Sequence, residues 1–244
     1  MKNPSTTYLT RVLPAAALFA LSAMPAAMAQ TVFSYGSSDF NHSANWSDGL
    51  PGENSSQNAV LQGAAGTSAT TTADYTNANG DPINHNWNLT PRNYTTLNIN
   101  HNMETGAAAG ANAGNIYLAT NTTGGTIVQA AGTTVTTGGA FIGNSTDRSG
   151  TNYADYTLNG TLDATSINLG KSGRLRVGAT GYTDAPITHN GTSGGVHNGA
   201  LTGTGVGGEL AGLVTLNGNL DVRGVGGATG LIFSGGIQSS ADQS

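Results

Sequence analysis

Hydrophobic residues in this chain come in short alternating bursts, and polar or glycine positions separate the bursts. From Asn115 onward the pattern is regular. It predicts short strands at Ile116–Ala119, Thr126–Gln129, Thr133–Thr136, Ala140–Ile142, Tyr156–Leu158, Ser166–Leu169 and Arg174–Val177, with Gly, Asn, Asp or Ser between nearly all of them. Earlier, Ala59-Val60-Leu61 reads as a strand, and Tyr94 to Asn100 alternates with Leu97 and Ile99 inward. A helix over Ala107-Ala108-Ala109 fails because Gly106, Gly110 and Gly114 surround it. Val135 to Gly143 and Leu162 to Gly170 are matching steps offset by 27, as are Ser145 and Ser172. Leu158-Asn159-Gly160-Thr161-Leu162-Asp163 returns as Leu216-Asn217-Gly218-Asn219-Leu220-Asp221, 58 residues on. These spacings fit a repeating unit of about 24–29 residues, in the range that marks solenoids.

A strand of four residues cannot bury an apolar face alone, but stacking successive coils gives each strand two neighbours. The expected fold is all-β, a right-handed parallel β-helix (β-solenoid) with an irregular N-terminal cap; a β-sandwich is the alternative. Glycine and asparagine are expected at tight corners, with asparagine side chains forming ladders along the stack. Residues 30–64 read as the cap: Phe33, Tyr35, Phe40 and Trp46 precede the turn Asp48-Gly49-Leu50-Pro51-Gly52. Residues 65–113 read as an irregular, low-complexity β segment, and 114–244 as the solenoid repeats.

The first 29 residues read differently. Lys2 and Arg11 precede an apolar stretch from Val12 to Ala23, and Ala27-Met28-Ala29 supplies a small-x-small site with cleavage before Gln30. The chain is expected to leave through the general export pathway and to work outside the cell or on its outer surface, with no transmembrane segment once the signal is removed. It contains no cysteine, so disulfides and thiolate metal ligands are excluded. Removing the signal leaves six basic residues against 13 acidic ones, so nucleic acid is not an expected partner. Leu, Ile, Val and Phe make up only 44 of 244 residues, which limits the core to a thin one.

His42-Ser43-Ala44-Asn45-Trp46-Ser47-Asp48-Gly49-Leu50-Pro51-Gly52 resembles the opening of many bacterial autotransporter passengers and PEP-CTERM-type exported proteins. Thr126 to Val135, Phe141 to Ser145 and Tyr156 to Leu162 resemble their central repeats, and Leu231-Ile232-Phe233-Ser234-Gly235-Gly236-Ile237 resembles the autotransporter-associated β-strand repeat. The resemblance covers about two thirds of the mature chain and implies a Gram-negative, extracellular right-handed β-helix. Two departures stand out: the sequence carries neither a C-terminal β-barrel nor a Pro-Glu-Pro signal, and it stops at Ser244 just after a strand, as a fragment would.

Candidate chemistry is sparse. Gly203-Thr204-Gly205-Val206-Gly207-Gly208 satisfies G-x-G-x-x-G but lacks a βαβ context, so a flexible loop is expected. Asp39 to Ser43 begins like a calcium loop, yet Ala44 and Leu50 stand where Gly and Glu are needed. His42, His85, His101, His189 and His197 show no metal-binding spacing and read as solvated loop residues. Thr133 to Thr137 lacks the strict periodicity an ice-binding array requires. No cofactor, metal or catalytic residue is assigned.

The leading expectation is a non-catalytic extracellular or cell-surface solenoid, structural or adhesive, with surface polysaccharide or other cell-surface components as partners. Asp147, Asp155, Asp163 and Asp184 with Lys171, Arg174 and Arg176 support an alternative, a polysaccharide lyase or hydrolase resting on Asp155, Asp163, Lys171 and Arg176. A carbohydrate-binding module would use Trp46, Trp87 and Tyr94.

Overall fold

A computed structural model describes residues 29–34, 38–53, 56–76, 85–92, 94–106, 114–118, 124–143, 154–190, 200–218, 220–224 and 230–239. The chain forms β1 (Ala29–Phe33), β2 (Gln57–Leu61), β3 (Ser68–Thr70), β4 (Trp87–Pro91), β5 (Thr96–Ile99), β6 (Met103–Glu104) and β7 (Ile116–Leu118). Then come β8 (Thr126–Gln129), β9 (Thr134–Ile142), β10 (Ala154–Leu158), β11 (Thr161–Leu169), β12 (Gly173–Val177), β13 (Tyr182–Thr183) and β14 (Ile187–His189). The last are β15 (Ala200–Gly203), β16 (Val206–Leu210), β17 (Val214–Leu216), β18 (Asp221–Gly224), β19 (Gly230–Phe233) and β20 (Ile237–Ser239). Every pairing between these strands is parallel and joins one coil to the next, which makes the fold a parallel β-helix.

The pairings sort into three stacks. A first face runs β3-β5-β8-β10-β12-β15-β18. A second face holds β6, the N-terminal halves of β9 and β11, then β13, β16 and β19. A third holds β1, β2, β4, β7, the C-terminal halves of β9 and β11, then β14, β17 and β20. β9 and β11 pass from the second face to the third without a break. At that corner the alternation slips: Thr137 and Ala140 are both buried with two residues between them, and the Thr165 hydroxyl donates to the Gly138 carbonyl oxygen of the coil before. A strict period of two would have turned one of the halves outward. The pattern had therefore predicted two strands, and the structure joins them through Gly138-Gly139.

Register turns each inward position into a column of side chains. On the first face Ala69, Leu97, Ile127, Tyr156, Leu175 and Leu201 stack coil upon coil, all fully buried. On the third, Ala59, Leu89, Ile116, Ala140, Ile167, Ile187 and Val214 do the same. Each full burial of a large aliphatic side chain stabilises by about 1.5–3 kcal/mol, so a thin core suffices when every coil contributes to every column. Asparagine side chains pair between coils at a corner, as expected, where Asn217 Nδ2 donates to Asn190 Oδ1 (2.9 Å), and also within strands, where Asn88 Nδ2 donates to Asn58 Oδ1 (2.8 Å).

The N-terminal end is closed by its aromatics. Phe33, Phe40, Trp46, Tyr75 and Trp87 are buried and pack mostly edge to face, with Phe40 and Trp46 5.0 Å apart. Segment 45–49 covers the outer edge of β1, since Ser34 N donates to Asn45 O and Ser47 N to Val32 O. The outer edge of β3 is met likewise, by Phe40 N to Thr70 O and Thr70 N to Ser38 O. Strands β3 to β6 lie within 65–113 and stack in the same sheets as the strands after residue 114. Of the signal-cleavage residues, Ala27 lies outside the described residues, while Ala29 and Gln30 begin β1 and pair with Gln57 and Asn58.

Two expectations are corrected. The coil advances by 19 residues from Asp155 to Arg174 and by 30 from Thr96 to Thr126, a wider spread than 24–29. The two hexapeptides are not copies of one coil position. Leu158-Asn159-Gly160 leaves the first face for the second, whereas Leu216-Asn217-Gly218 leaves the third for the first. The motif encodes strand, corner, strand, and it serves at two different corners. A Cβ on Gly160 would lie 2.2 Å from the Thr133 carbonyl oxygen, so that corner admits no side chain.

Candidate functional site

The first face carries the charged cluster. Inward Tyr156 and Leu175 force their neighbours outward, and register then sets Asp155 beside Arg174 and Thr157 beside Arg176. Arg174 Nε and Nη2 reach Asp155 Oδ1 and Oδ2, both at 2.5 Å, and Arg176 Nε stands 3.6 Å from Oδ1. A carboxylate gripped by a bidentate guanidinium has its lone pairs engaged and its charge neutralised, which suits an inter-coil clamp better than proton transfer.

The four residues of the enzyme alternative do not converge. Asp155 and Arg176 share the first face. Asp163 is exposed on the second face, in register with Thr136. Lys171 is only 5% exposed, in the turn between β11 and β12. Asp184 is exposed between β13 and β14, and Asp147 lies outside the described residues. The aromatic trio divides too. Trp46 and Trp87 are core residues of the N-terminal cluster and offer no ring face to a sugar, while Tyr94 is 41% exposed in a left-handed conformation (φ 58°).

A cleft of about 310 Å³ opens where the first face turns into the second, lined by Asp74, Thr76, Asn102, Met103, Glu104, Thr134 and Thr136. Its wall is a ladder through three coils: Asp74 Oδ1 accepts from Asn102 N (2.9 Å), and Asn102 Oδ1 accepts from Thr134 N (2.8 Å). His101 Nδ1 lies 3.8 Å from Asp74 Oδ1. Glu104 projects outward beside Thr136, and Asp163 continues that row one coil on. The cleft offers carboxylates, an amide and hydroxyls, the groups that exchange hydrogen bonds with sugar hydroxyls. Sequence reading missed it because Asp74, Asn102 and Thr134 become neighbours only through register.

Two inward polar residues were also missed. Gln129 occupies a core column between Ile99 and Leu158. Its Nε2 donates to Thr133 O (3.0 Å) and Thr161 O (2.8 Å), and its Oε1 accepts from the buried Tyr156 hydroxyl (2.9 Å). Burial raises the Tyr156 pKa far above its usual value. His189, expected to be solvated, is fully buried in register with Leu169 and Leu216. Neither ring nitrogen has a hydrogen-bond partner of good geometry. Desolvation lowers its pKa, and a backbone contact at Gly218 opposes part of that shift.

The remaining motifs are structural. Gly203 to Gly208 is the end of β15, a corner and the start of β16, a tight turn where a flexible loop was expected; a Cβ on Gly208 would lie 2.4 Å from Gly178 O. The Asp39 carboxylate accepts from Asn41 N (2.9 Å) and the Thr72 hydroxyl (2.7 Å). Among the described residues no three His, Asp or Glu side chains gather as a metal site, and no helix is long and apolar enough to cross a membrane.

The fold defines the class, a parallel β-helix with a closed aromatic N-terminal end. Compared with protein-family models, curated proteins and solved structures, the chain matches none.

Proposed function

We propose that this is a non-catalytic β-solenoid of the cell exterior, structural or adhesive, whose polar side-chain rows engage surface polysaccharide. The observation that carries the reading is the clamp of Asp155 by Arg174, which ties the strongest acid–base candidate into the scaffold. The buried cap tryptophans support it as well, since they serve the fold and leave adhesion to rows of Asn, Thr and Asp.

The cleft favours a second reading, a polysaccharide-cleaving enzyme, because Asp74 and Glu104 line one concave surface. One experiment separates the two. The mature chain is incubated with neutral and uronic-acid polysaccharides, and both retention on the polymer and new chain ends are measured. Retention without new ends, weakened by Asn102→Ala and Thr136→Ala, is the expected result. New ends that vanish in Asp74→Asn or Glu104→Gln would replace the adhesive reading with the enzymatic one.

A further inference from the structure

The cleft is the start of a longer feature, because its lining belongs to two outward columns that run along the solenoid axis. Asp74, Asn102 and Thr134 are neighbours in successive coils, and register carries that column on to Thr161 and Tyr182. Thr76, Glu104 and Thr136 form the second column, which continues at Asp163. Asp184, two residues beyond Tyr182, is exposed as well. With coils about 4.8 Å apart, the first column runs about 19 Å from Asp74 to Tyr182.

Tyr182 is the aromatic residue of this strip. Thr183 is fully buried, so Tyr182 beside it faces outward, and its side chain is 37% exposed. Tyr182 N donates to Gly160 O (2.9 Å) and Glu209 N to Gly181 O (2.8 Å), so the coils on both sides hold the backbone that presents the ring. Among the described residues the ring meets no other ring and the hydroxyl makes no hydrogen bond. Strands β16 and β19 stack beyond β13, which places Tyr182 inside the stack and not at its end. Threonine fills the same column one and two coils earlier, so the coil itself does not need an aromatic there.

We propose that a neutral polysaccharide lies along this strip, from the cleft to Tyr182, with one sugar ring packed on the tyrosine. The proposal rests on the polysaccharide reading above and adds the charge class of the ligand, its direction and an aromatic subsite. A coil step of about 4.8 Å is close to the advance of an extended polymer per pyranose ring, so sugar hydroxyls recur in step with the side chains. The apolar C–H face of a pyranose suits the tyrosine ring, and its hydroxyls can donate to carboxylates such as Asp163. Charge sets the class. Among the described residues no strand of the second face carries a basic side chain, whereas Glu104 and Asp163 project from it. A uronic-acid polymer would bring like charge against that row, and a neutral one does not.

The test is affinity electrophoresis of the mature chain through gels holding galactomannan or glucomannan, which are neutral, or polygalacturonate or alginate, which are acidic. Retention by the neutral polymers and none by the acidic ones is expected. Tyr182→Ala is expected to weaken that retention about three- to tenfold, the worth of one aromatic contact, while Tyr182→Phe keeps it. Both variants should leave circular dichroism unchanged, because the side chain is exposed. A mannose disaccharide is too short to reach from the cleft to Tyr182, so it should compete equally well with the parent and with Tyr182→Ala. Undiminished retention of Tyr182→Ala, or stronger retention by acidic than by neutral polymers, would overturn this placement and leave the polysaccharide reading standing. Retention by none of the polymers would overturn both.

Discussion

His189→Leu should stabilise the protein, and more so in acid. The imidazole is fully buried in register with Leu169 and Leu216, with neither ring nitrogen well bonded. Burying an imidazole whose backbone contact at Gly218 is poorly aligned costs about 1–3 kcal/mol by mutational standards. Leucine approximates the ring's volume and matches its neighbours, so a gain of about 1–3 kcal/mol is expected near neutral pH. The acid effect has a definite sign. The folded-state pKa of His189 is lowered, so below about pH 6.5 the unfolded chain takes up a proton that the folded chain refuses. The parent therefore loses stability as pH falls from the unfolded pKa toward the folded one, with a slope approaching about 1.4 kcal/mol per pH unit. The leucine variant lacks this term, so the gap between them should widen on acidification. Urea unfolding of both chains, near neutral pH and about one unit below the histidine pKa, measures it. A leucine variant that is less stable at neutral pH, or a gap that stays constant on acidification, would refute the reasoning.

Further substitutions probe the core and the corners. Gln129→Leu should destabilise by about 1–3 kcal/mol, because it strands the buried Tyr156 hydroxyl and removes the amide's bonds to the Thr133 and Thr161 carbonyls, of which Thr133 O still accepts from Thr161 N. Adding Tyr156→Phe should cost less in that background than in the parent, a coupling that a double-mutant cycle in urea measures. Gly160→Ala should prevent folding or lower stability by several kcal/mol, because the new Cβ meets Thr133 O at 2.2 Å. Gly132→Ala, with open space but φ at +75°, should cost only about 1–2 kcal/mol, and thermal melts of the two variants should rank them so.

The fold was legible because alternation and corner residues are local signals. Ile127 and Leu175 sit in runs whose neighbours are polar, and each run becomes one strand. Coil length was not legible, because it is set by how far the chain travels between faces. Leu158-Asn159-Gly160 and Leu216-Asn217-Gly218 look like one repeat since any corner can use a strand end followed by Asn-Gly. His189 and Gln129 escaped notice for a related reason. A lone polar residue ending a short strand is inward or outward according to register, and Ile187 shows His189's inward direction only once that strand is placed. The candidate charges followed the same logic: Asp155 and Arg174 are neighbours because one coil happens to take 19 residues, whereas Asp163 turns a corner.

The all-parallel pairing has a mechanical consequence. Hydrogen bonds between coils lie along the solenoid axis, so tension between the two ends loads each coil's ladders in opening, not in shear. Such a body yields by peeling, one coil at a time. Each event releases one coil of slack: the 27 residues from Val135 to Leu162 extend to about 90 Å. Under tension between its two ends, the chain would pay out length in steps and so limit the force its coils transmit.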